Sequence, residues 1–208
     1  KKRVKPLGGT RTEALPGTVA LTFDDGPSKV FTPQVLDILK KYNVKATFFV
    51  MGWSARDYPH LIKRMVREGH SVAHHTNSHK NLTKLKNKDL RYEISMPLKE
   101  ITKVIGTKPL CLRPPYGASN NHVKKMVKSY GLTHVGIGFN SYDYDLKRSK
   151  KELINWVVKN AKSKRVFCMH DGLFKKQKTV DALPAIIEGI RKKGLGFSRI
   201  CNPFKKKS

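Results

Sequence analysis

The chain has 208 residues, of which 38% are hydrophobic, and this composition predicts one folded domain and excludes an intrinsically disordered protein. The sequence carries 43 Lys and Arg residues against 15 Asp and Glu residues, so its formal net charge is +28. A field of this size concentrates polyanions near the surface, although scattered lysines that only maintain solubility would give the same count. No run of about 18 apolar residues is present, and we therefore expect no transmembrane segment.

Short apolar runs rich in Val, Ile, Phe and Thr alternate with longer amphipathic segments along the chain. The runs predict seven strands, at residues 19–23, 46–51, 71–73, 110–112, 133–139, 165–169 and 196–200. Apolar residues at helical spacing predict helices at residues 33–42, 61–68, 89–105, 121–130, 150–161 and 179–192. Strand–helix units in series predict an α/β fold with parallel strands and outer helices, as an open doubly wound sheet or as a barrel.

The domain organisation predicted from these elements is simple. We expect residues 19–202 to form the folded domain, with residues 1–18 as an N-terminal extension and residues 203–208 as a basic tail. The three cysteines, Cys111, Cys168 and Cys201, are too few for a disulfide framework, and at most one pair can be bridged. Cys111 and Cys168 lie in apolar runs, which predicts that both are small buried residues.

Polar residues that can take part in chemistry follow five of the seven predicted strands. The carboxyl ends of parallel strands form the active face of α/β enzymes, so these residues predict an active site there. Turn formation alone explains any one of these groups, but it does not explain all of them together. They are Asp24 and Asp25 after the first strand, residues 74–79 (HHTNSH) after the third, Arg113 and Tyr116 after the fourth, Asp143 and Asp145 after the fifth, and His170 and Asp171 after the sixth.

The strongest chemical signal is the spacing of His75 and His79. Two histidines four residues apart can converge on one metal ion, and a carboxylate from another strand end can complete a three-ligand face. Such a set leaves positions open for water and substrate, which is typical of a catalytic metal site. The other histidines outside the His170 motif are predicted to be structural or exposed: His60, His70, His74, His122 and His134.

These residues resemble the polysaccharide deacetylases, the fourth family of carbohydrate esterases, over residues 19 to 200. Residues 22–27 (TFDDGP), 75–79 (HTNSH) and 113–117 (RPPYG) match the first three of the five family motifs in full and in order. The chain looks most like the peptidoglycan N-acetylglucosamine deacetylases of this family. The resemblance implies an irregular (β/α) barrel with fewer than eight complete units, in agreement with about seven strand–helix units in the sequence.

The resemblance also implies a role for each site residue and a divalent metal cofactor, zinc in the first place and Co²⁺ as the alternative. The implied metal ligands are Asp25, His75 and His79, and the implied catalytic residues are Asp24 as general base, Arg113 as the residue that holds it, Tyr116 through its backbone N–H, and His170 as general acid.

Two motifs depart from the family pattern. The fourth motif commonly ends in Asp-Trp, and the spacing of this sequence predicts Asp145 and Leu146 at those positions. Asp145 is expected to orient His170, whereas Leu146 replaces an aromatic residue that would wall the acetyl pocket. Cys168, two residues before His170, stands where leucine is common. We therefore expect an altered pocket for the acetyl methyl group.

The function implied by the resemblance is removal of N-acetyl groups from amino sugars, with release of acetate. Peptidoglycan is the favoured substrate, because an anionic cell wall suits a charge of +28, and it implies a secreted, periplasmic or cell-envelope location. Chitin or its oligosaccharides and acetylxylan are alternative substrates. An inactive sugar-binding homologue and a nucleic-acid-binding protein are the alternatives from other classes, and the sequence contains no recognised nucleic-acid-binding motif.

Overall fold

The structure is a computed structural model that describes residues 12–202. Within that range the chain forms eight strands and seven α-helices. The strands are β1 (Thr18–Asp24), β2 (Thr47–Val50), β3 (Ser71–His74), β4 (Cys111–Leu112), β5 (Thr133–His134), β6 (Phe139–Asn140), β7 (Val166–His170) and β8 (Gly196–Phe197). The helices are α1 (Phe31–Lys41), α2 (Gly52–Asp57), α3 (Pro59–Arg67), α4 (Asn87–Ile105), α5 (Asn121–Ser129), α6 (Lys150–Lys159) and α7 (Gln177–Lys192).

All strands pair in parallel, in the order β5-β4-β3-β2-β1-β7-β6, with β8 added beside β1. Among the described strands no pairing joins β5 to β6, so the curled sheet is an incomplete barrel. Strand β1 lies at its centre, and Asp24 at its end pairs with Phe49 of β2 and His170 of β7. The α/β prediction is confirmed, and parallel pairing brings the polar strand ends to one face.

The side chains of the central strand, β1, alternate between the two sides of the sheet. Successive side chains of a strand point to opposite faces. Val19, Leu21 and Phe23 are buried against the helices in the largest apolar cluster. Ala20 packs in the barrel interior with Phe49. Because both faces of β1 are covered, an almost continuous apolar run is required there.

The predicted strand at residues 133–139 is wrong in one respect, because it is two short strands that belong to different sides of the sheet. Strand β5 pairs with β4, whereas β6 pairs with β7. Gly136 and Gly138 separate them. Gly138 has a φ of +73°, and a Cβ atom there would lie 2.7 Å from the Val166 carbonyl oxygen. Glycine therefore allows the chain to leave one edge and approach the other.

The six predicted helices are present, with ends shifted by two residues or fewer, but helix α2 was not predicted. Its six residues are too few for an apolar periodicity to be visible. Among the helices between residues 12 and 202, none combines the length and the apolar character needed to cross a bilayer.

The N-terminal boundary of the folded part lies earlier in the structure than residue 19. Ala14 is 4% exposed and packs in the barrel interior, and the Leu15 N–H donates to the Ser198 hydroxyl at 2.9 Å. Residues 1–11 of the expected extension and the whole expected basic tail, 203–208, lie outside the described residues.

A disulfide joins Cys111 of β4 to Cys201, which follows β8, and leaves Cys168 as a buried free thiol. Both bridged residues are buried in the barrel interior. The expected burial of Cys111 and Cys168 is therefore confirmed, but Cys111 is half of a cross-link. The bridge closes a loop with a sequence separation of 90 residues.

We expect the Cys111→Ser, Cys201→Ser variant to lose about 2–4 kcal/mol of its free energy of unfolding, because the cross-link restricts the unfolded chain. Urea unfolding monitored by circular dichroism measures this loss. Reductant should destabilise a Cys168→Ser control as much as the wild-type chain. Equal stability of the bridged and unbridged chains would show that the disulfide makes no net contribution.

Candidate active site and metal centre

The carboxyl ends of β1, β3 and β7 and the segment after β4 surround a cavity of about 520 Å³ on one face of the barrel. Most of the predicted site residues line it, and Arg113 lies buried directly behind Asp24. Asp145 is the exception and lies outside this cavity. The lining residues that bear on the chemistry are Asp24, Asp25, His75, His79, Tyr116, Tyr144, Cys168, His170 and Lys176.

Asp25, His75 and His79 converge as the metal prediction requires. The Oδ1 atom of Asp25 lies 3.3 Å from Nε2 of His75 and 3.1 Å from Nε2 of His79. One ligand atom from each residue lies within 4.8 Å of the others. Oδ1 is buried, and apart from the two imidazole nitrogens no donor among residues 12–202 reaches it. A buried oxygen facing two imidazole nitrogens fits a divalent cation, and three protein ligands leave coordination positions open for water and substrate.

The ring orientation of both histidines is fixed from behind. Nδ1 of His75 lies 2.8 Å from the Arg113 carbonyl oxygen, and Nδ1 of His79 lies 3.2 Å from the Tyr116 hydroxyl. These contacts leave Nε2 of each ring to face Asp25, and histidines that bind metals commonly bond a carbonyl or another polar group through their other nitrogen in this way. Burial alone raises the pKa of Asp25, but the two imidazoles outweigh it and hold that pKa well below its usual range.

Glu93 is a site residue that the sequence reasoning missed. It is 1% exposed and lies on α4, from which its carboxylate accepts hydrogen bonds from the N–H groups of Asn77 and Ser78, both at 2.9 Å. The Ser78 hydroxyl donates to the same carboxylate at 2.5 Å. Glu93 therefore holds the loop that carries His75 and His79. In the sequence, Glu93 lies on the apolar face of a predicted helix, and a carboxylate at such a position indicates a buried polar contact.

His74, by contrast, is structural, as predicted. Its Nε2 lies 2.8 Å from the Ile94 carbonyl oxygen, and its Nδ1 accepts from the Thr76 N–H at 2.9 Å. Burial lowers the pKa of His74 to about 4, so the ring stays neutral and spans strand β3 and helix α4.

Several site residues have left-handed backbone, which is uncommon outside glycine. The φ angles are +73° at Asp25, +64° at Thr76, +59° at His79 and +59° at Tyr116. Strained backbone of this kind persists only where the surroundings determine it, and it clusters at functional sites. Here it turns the chain sharply after three of the strands, which directs the side chains into the cavity.

Asp24 and Arg113 form the buried ion pair that the resemblance implied. Arg113 is fully buried, and its Nη1 donates to Asp24 Oδ1 and to the Thr22 hydroxyl, both at 2.7 Å. Its Nε donates to the Gly136 carbonyl at 3.0 Å, and the guanidinium lies 4.0 Å from the centre of the Phe49 ring. Because these contacts hold the Arg113 guanidinium in one orientation, its hydrogen bond fixes the position of the Asp24 carboxylate in the cavity.

The carboxylate that contacts His170 is Asp143, and this corrects the prediction made for Asp145. Asp143 Oδ1 lies 2.7 Å from Nδ1 of His170, and Oδ2 accepts from the His170 N–H at 2.8 Å. The Thr179 hydroxyl donates to Oδ2 at 2.7 Å. Burial lowers the pKa of His170, but the Asp143 charge outweighs burial and raises that pKa to about 12. The imidazole is therefore cationic at neutral pH.

Asp145 instead accepts from the Lys147 N–H at 3.0 Å, in the turn that leads to helix α6. The same shift of two residues applies to the following position, because Leu146 is 89% exposed, whereas Tyr144 lines the cavity. The Tyr144 ring stands nearly perpendicular to the His170 ring, with 5.5 Å between their centres. An aromatic wall is thus present, and the expectation that leucine replaces it is wrong.

Tyr116 lies in a single 3-10 turn, Pro115–Gly117, that enters the cavity wall. Its backbone N–H donates to none of the described residues, while the N–H of Gly117 bonds to the Pro114 carbonyl. A free N–H beside a metal-binding cluster can stabilise a developing oxyanion. The side chain is 67% exposed and contacts His79 through its hydroxyl.

The sequence profile of the family described as "Polysaccharide deacetylase" matches residues 11–135. A peptidoglycan N-acetylglucosamine deacetylase of Bacillus cereus is 35% identical over 201 residues, which are 95% of this chain and 93% of that protein. A peptidoglycan N-acetylmuramic acid deacetylase of Bacillus subtilis is 33% identical over 197 residues, which are 93% of this chain and 72% of that protein.

The solved structures give the same result. The crystal structure of a peptidoglycan N-acetylglucosamine deacetylase superposes with a TM-score of 0.85 at 34% identity, and the match covers 90% of this chain and 88% of that one. This likeness confirms the irregular (β/α) barrel predicted from the sequence. The matched motifs, the fold and the extent of these similarities agree, and the chain belongs to the polysaccharide deacetylase family, the fourth family of carbohydrate esterases.

Proposed function

We propose that this protein is a metal-dependent hydrolase that removes N-acetyl groups from amino sugars of peptidoglycan. The observation that carries the proposal is one cavity that combines the Asp25, His75 and His79 cluster with Asp24 on one side and His170 on the other. Amide hydrolysis needs an activated water, a proton acceptor and a proton donor, and this set offers all of them. The named activities of the two curated relatives support peptidoglycan as the substrate.

Asp25, His75 and His79 would hold the metal, with Zn²⁺ favoured by two imidazoles and one carboxylate and Co²⁺ as an alternative. When bound, the cation would lower the pKa of a water and polarise the acetyl carbonyl. The side chains perform the proton transfers. Asp24, oriented by Arg113, accepts the proton of the attacking water, and the Tyr116 N–H donates a hydrogen bond to the tetrahedral oxyanion.

His170 completes the reaction as general acid. Its ring is 15% exposed and reaches the cavity, while Asp143 on the other side keeps it protonated. A cationic imidazole can protonate the leaving amine, which would otherwise depart as an unstable anion. The products are acetate and a free amino sugar.

The Asp143→Asn substitution should reduce kcat by about 10²-fold and should move the alkaline limb of the pH profile to lower pH. Asp143 raises the pKa of His170 against the opposing effect of burial, so without its charge the ring loses its proton earlier as pH rises. The matched control is Asp145→Asn, because the hydrogen bond that the structure describes for this carboxylate is to the Lys147 N–H of its own turn. A larger effect at Asp145 than at Asp143 would show that Asp145 is the carboxylate that acts on His170.

The substrate proposal is tested by measuring acetate released from purified peptidoglycan, chitin oligomers and acetylated xylan, with and without added zinc. We expect zinc-dependent release that is fastest on peptidoglycan. Faster release from chitin oligomers or xylan would contradict the substrate. No release from any of the three, in a chain that binds zinc, would favour an inactive sugar-binding homologue.

The positive charge leads to a separate proposal, that the surface docks on an anionic cell wall and that the protein works in a secreted, periplasmic or envelope location. Raising the salt from about 0.01 M to about 0.15 M shortens the Debye length from about 30 Å to about 8 Å. Activity on intact sacculi should then fall, while activity on a short neutral oligosaccharide should barely change.

The side chains of Lys124, Lys125 and Lys128 are exposed on α5. Their reversal to Glu should reproduce the effect of salt, and equal losses on both substrates would leave solubility as the role of the charge.

A further inference from the structure

Cys168 faces the cavity beside Asp24 and His170, and these three residues form a second cluster of metal-ligating atoms. One ligand atom from each of them lies within 4.8 Å of the others. The Cys168 thiol donates to Asp24 Oδ2 at 3.3 Å. The cluster shares no residue with Asp25, His75 and His79, which form the first cluster.

The three side chains are already oriented for coordination. Arg113 holds Oδ1 of Asp24 at 2.7 Å, so Oδ2 is the oxygen that faces the thiol. Asp143 holds Nδ1 of His170 at 2.7 Å, so Nε2 is the ring nitrogen that can bind a cation once it has lost its proton. This arrangement, in which a ligating histidine bonds a carboxylate through its other nitrogen, is typical of metal sites. Tetrahedral zinc separates such ligand atoms by about 3.3–3.8 Å, so shifts of about 1 Å would complete the site.

A thiolate, a carboxylate and an imidazole together select a borderline or soft cation such as Zn²⁺, Co²⁺ or Cd²⁺ over Mg²⁺ or Ca²⁺. Three neighbouring positive charges oppose this cation: the Arg113 guanidinium, the Lys176 ammonium, which lines the same cavity, and the ion that the first cluster would hold. Two negative ligands, Asp24 and the Cys168 thiolate, offset only part of this positive charge. The second cation is therefore expected to bind more weakly than the first.

We propose that Asp24, Cys168 and His170 bind a second thiophilic divalent cation, and that its binding inhibits the enzyme. The thiol proton and the imidazolium proton pass to solvent as the cation enters, and no electron is transferred. The inhibitory part rests on the proposed function, because the cation occupies the carboxylate that would accept a proton and the imidazole that would donate one. Excess zinc then converts an active chain with one metal into an inactive chain with two.

The direct test is a Co²⁺ titration of the metal-free chain, followed by absorbance and by equilibrium dialysis. We expect two equivalents to bind in sequence, and the second should bring a near-ultraviolet thiolate-to-cobalt charge-transfer band. Cys168 is the only thiol that can give this band, because the chain has three cysteines and the other two form the disulfide. The Cys168→Ser variant should lose both the band and the second equivalent.

The first cluster supplies a control. The band should persist in the His75→Ala, His79→Ala variant, and its disappearance there would place the thiolate at the first site and overturn the proposal. A wild-type chain that binds one equivalent without a band at saturating Co²⁺ would also overturn it. Neither readout needs turnover, so both decide the proposal even if the chain releases no acetate.

A separate experiment measures how excess zinc inhibits acetate release by the wild-type chain and by Cys168→Ser. The rate of each chain is divided by its own rate at one equivalent of zinc. We expect the inhibition constant to rise roughly tenfold or more in Cys168→Ser, since even changes outside the first coordination shell cost about 10–100-fold in affinity. Equal inhibition of both chains, together with a second equivalent in both, would show that Cys168 is not a ligand.

Discussion

We expect the His75→Ala, His79→Ala variant to lose its tightly bound divalent metal and at least about 10³-fold of its deacetylase activity. Two of the three converging ligand atoms disappear, and Asp25 Oδ1 alone remains. The several kcal/mol that a metal contributes to the transition state correspond to a loss of this size. Metal content measured by atomic emission after dialysis, together with acetate release, checks both parts of the prediction.

The matched control removes two exposed histidines, His60 and His122, which lie on the outer helices α3 and α5. That control should retain the metal and the activity. Stoichiometric metal that persists in the His75 and His79 variant would mean that the first cluster is not the metal site.

The second large effect is expected from Asp24→Asn, which should lower kcat by about 10²–10⁴-fold while the metal remains bound. The amide oxygen can still accept from Arg113, so the ion-pair geometry is largely kept, but the amide cannot take a proton from water. Asp24 makes its contacts with Arg113 and Cys168, whereas the neighbouring Asp25 faces the two histidines. Metal analysis and kinetics on the same sample separate these roles.

Asp25→Asn provides the reciprocal comparison, since an amide oxygen is a poorer ligand than a carboxylate and this substitution should weaken metal binding. If Asp24→Asn loses the metal while Asp25→Asn keeps it, the assignment of base and ligand is reversed.

The parts of the structure that the sequence predicted well depend on local patterns. Buried parallel strands require runs such as the one in β1, and the helices bury one face each, so periodicity located both. His75 and His79 are four residues apart, so a single turn of the chain brings both rings together. These features are short-range, and a pattern in the chain is enough to find them.

The parts that were missed depend on contacts between distant segments. Residues 133–139 read as one strand because apolar residues surround the glycines, and only the positions of β4 and β7 show that the chain crosses between them. The choice between Asp143 and Asp145 has the same cause. Both follow the strand at similar distances, and only the packing of the turn against Thr179 and His170 shows which carboxylate is buried.

Glu93 and the disulfide illustrate the same limit. The carboxylate on α4 has its partners in the loop after β3, and Cys201 reaches Cys111 only because the segment after β8 enters the barrel interior. Neither pairing follows from composition or from periodicity. A buried charge on an apolar helix face nevertheless predicts that some partner must exist.

A zinc titration of acetate release from peptidoglycan, starting from the metal-free chain, tests the central claim most directly. If Asp25, His75 and His79 hold the catalytic ion, activity should rise linearly and reach its maximum at one equivalent of zinc, and the His75→Ala, His79→Ala variant should show no rise over the same range. Full acetate release by the metal-free chain, with no response to zinc, would contradict a metal-dependent deacetylase at this site.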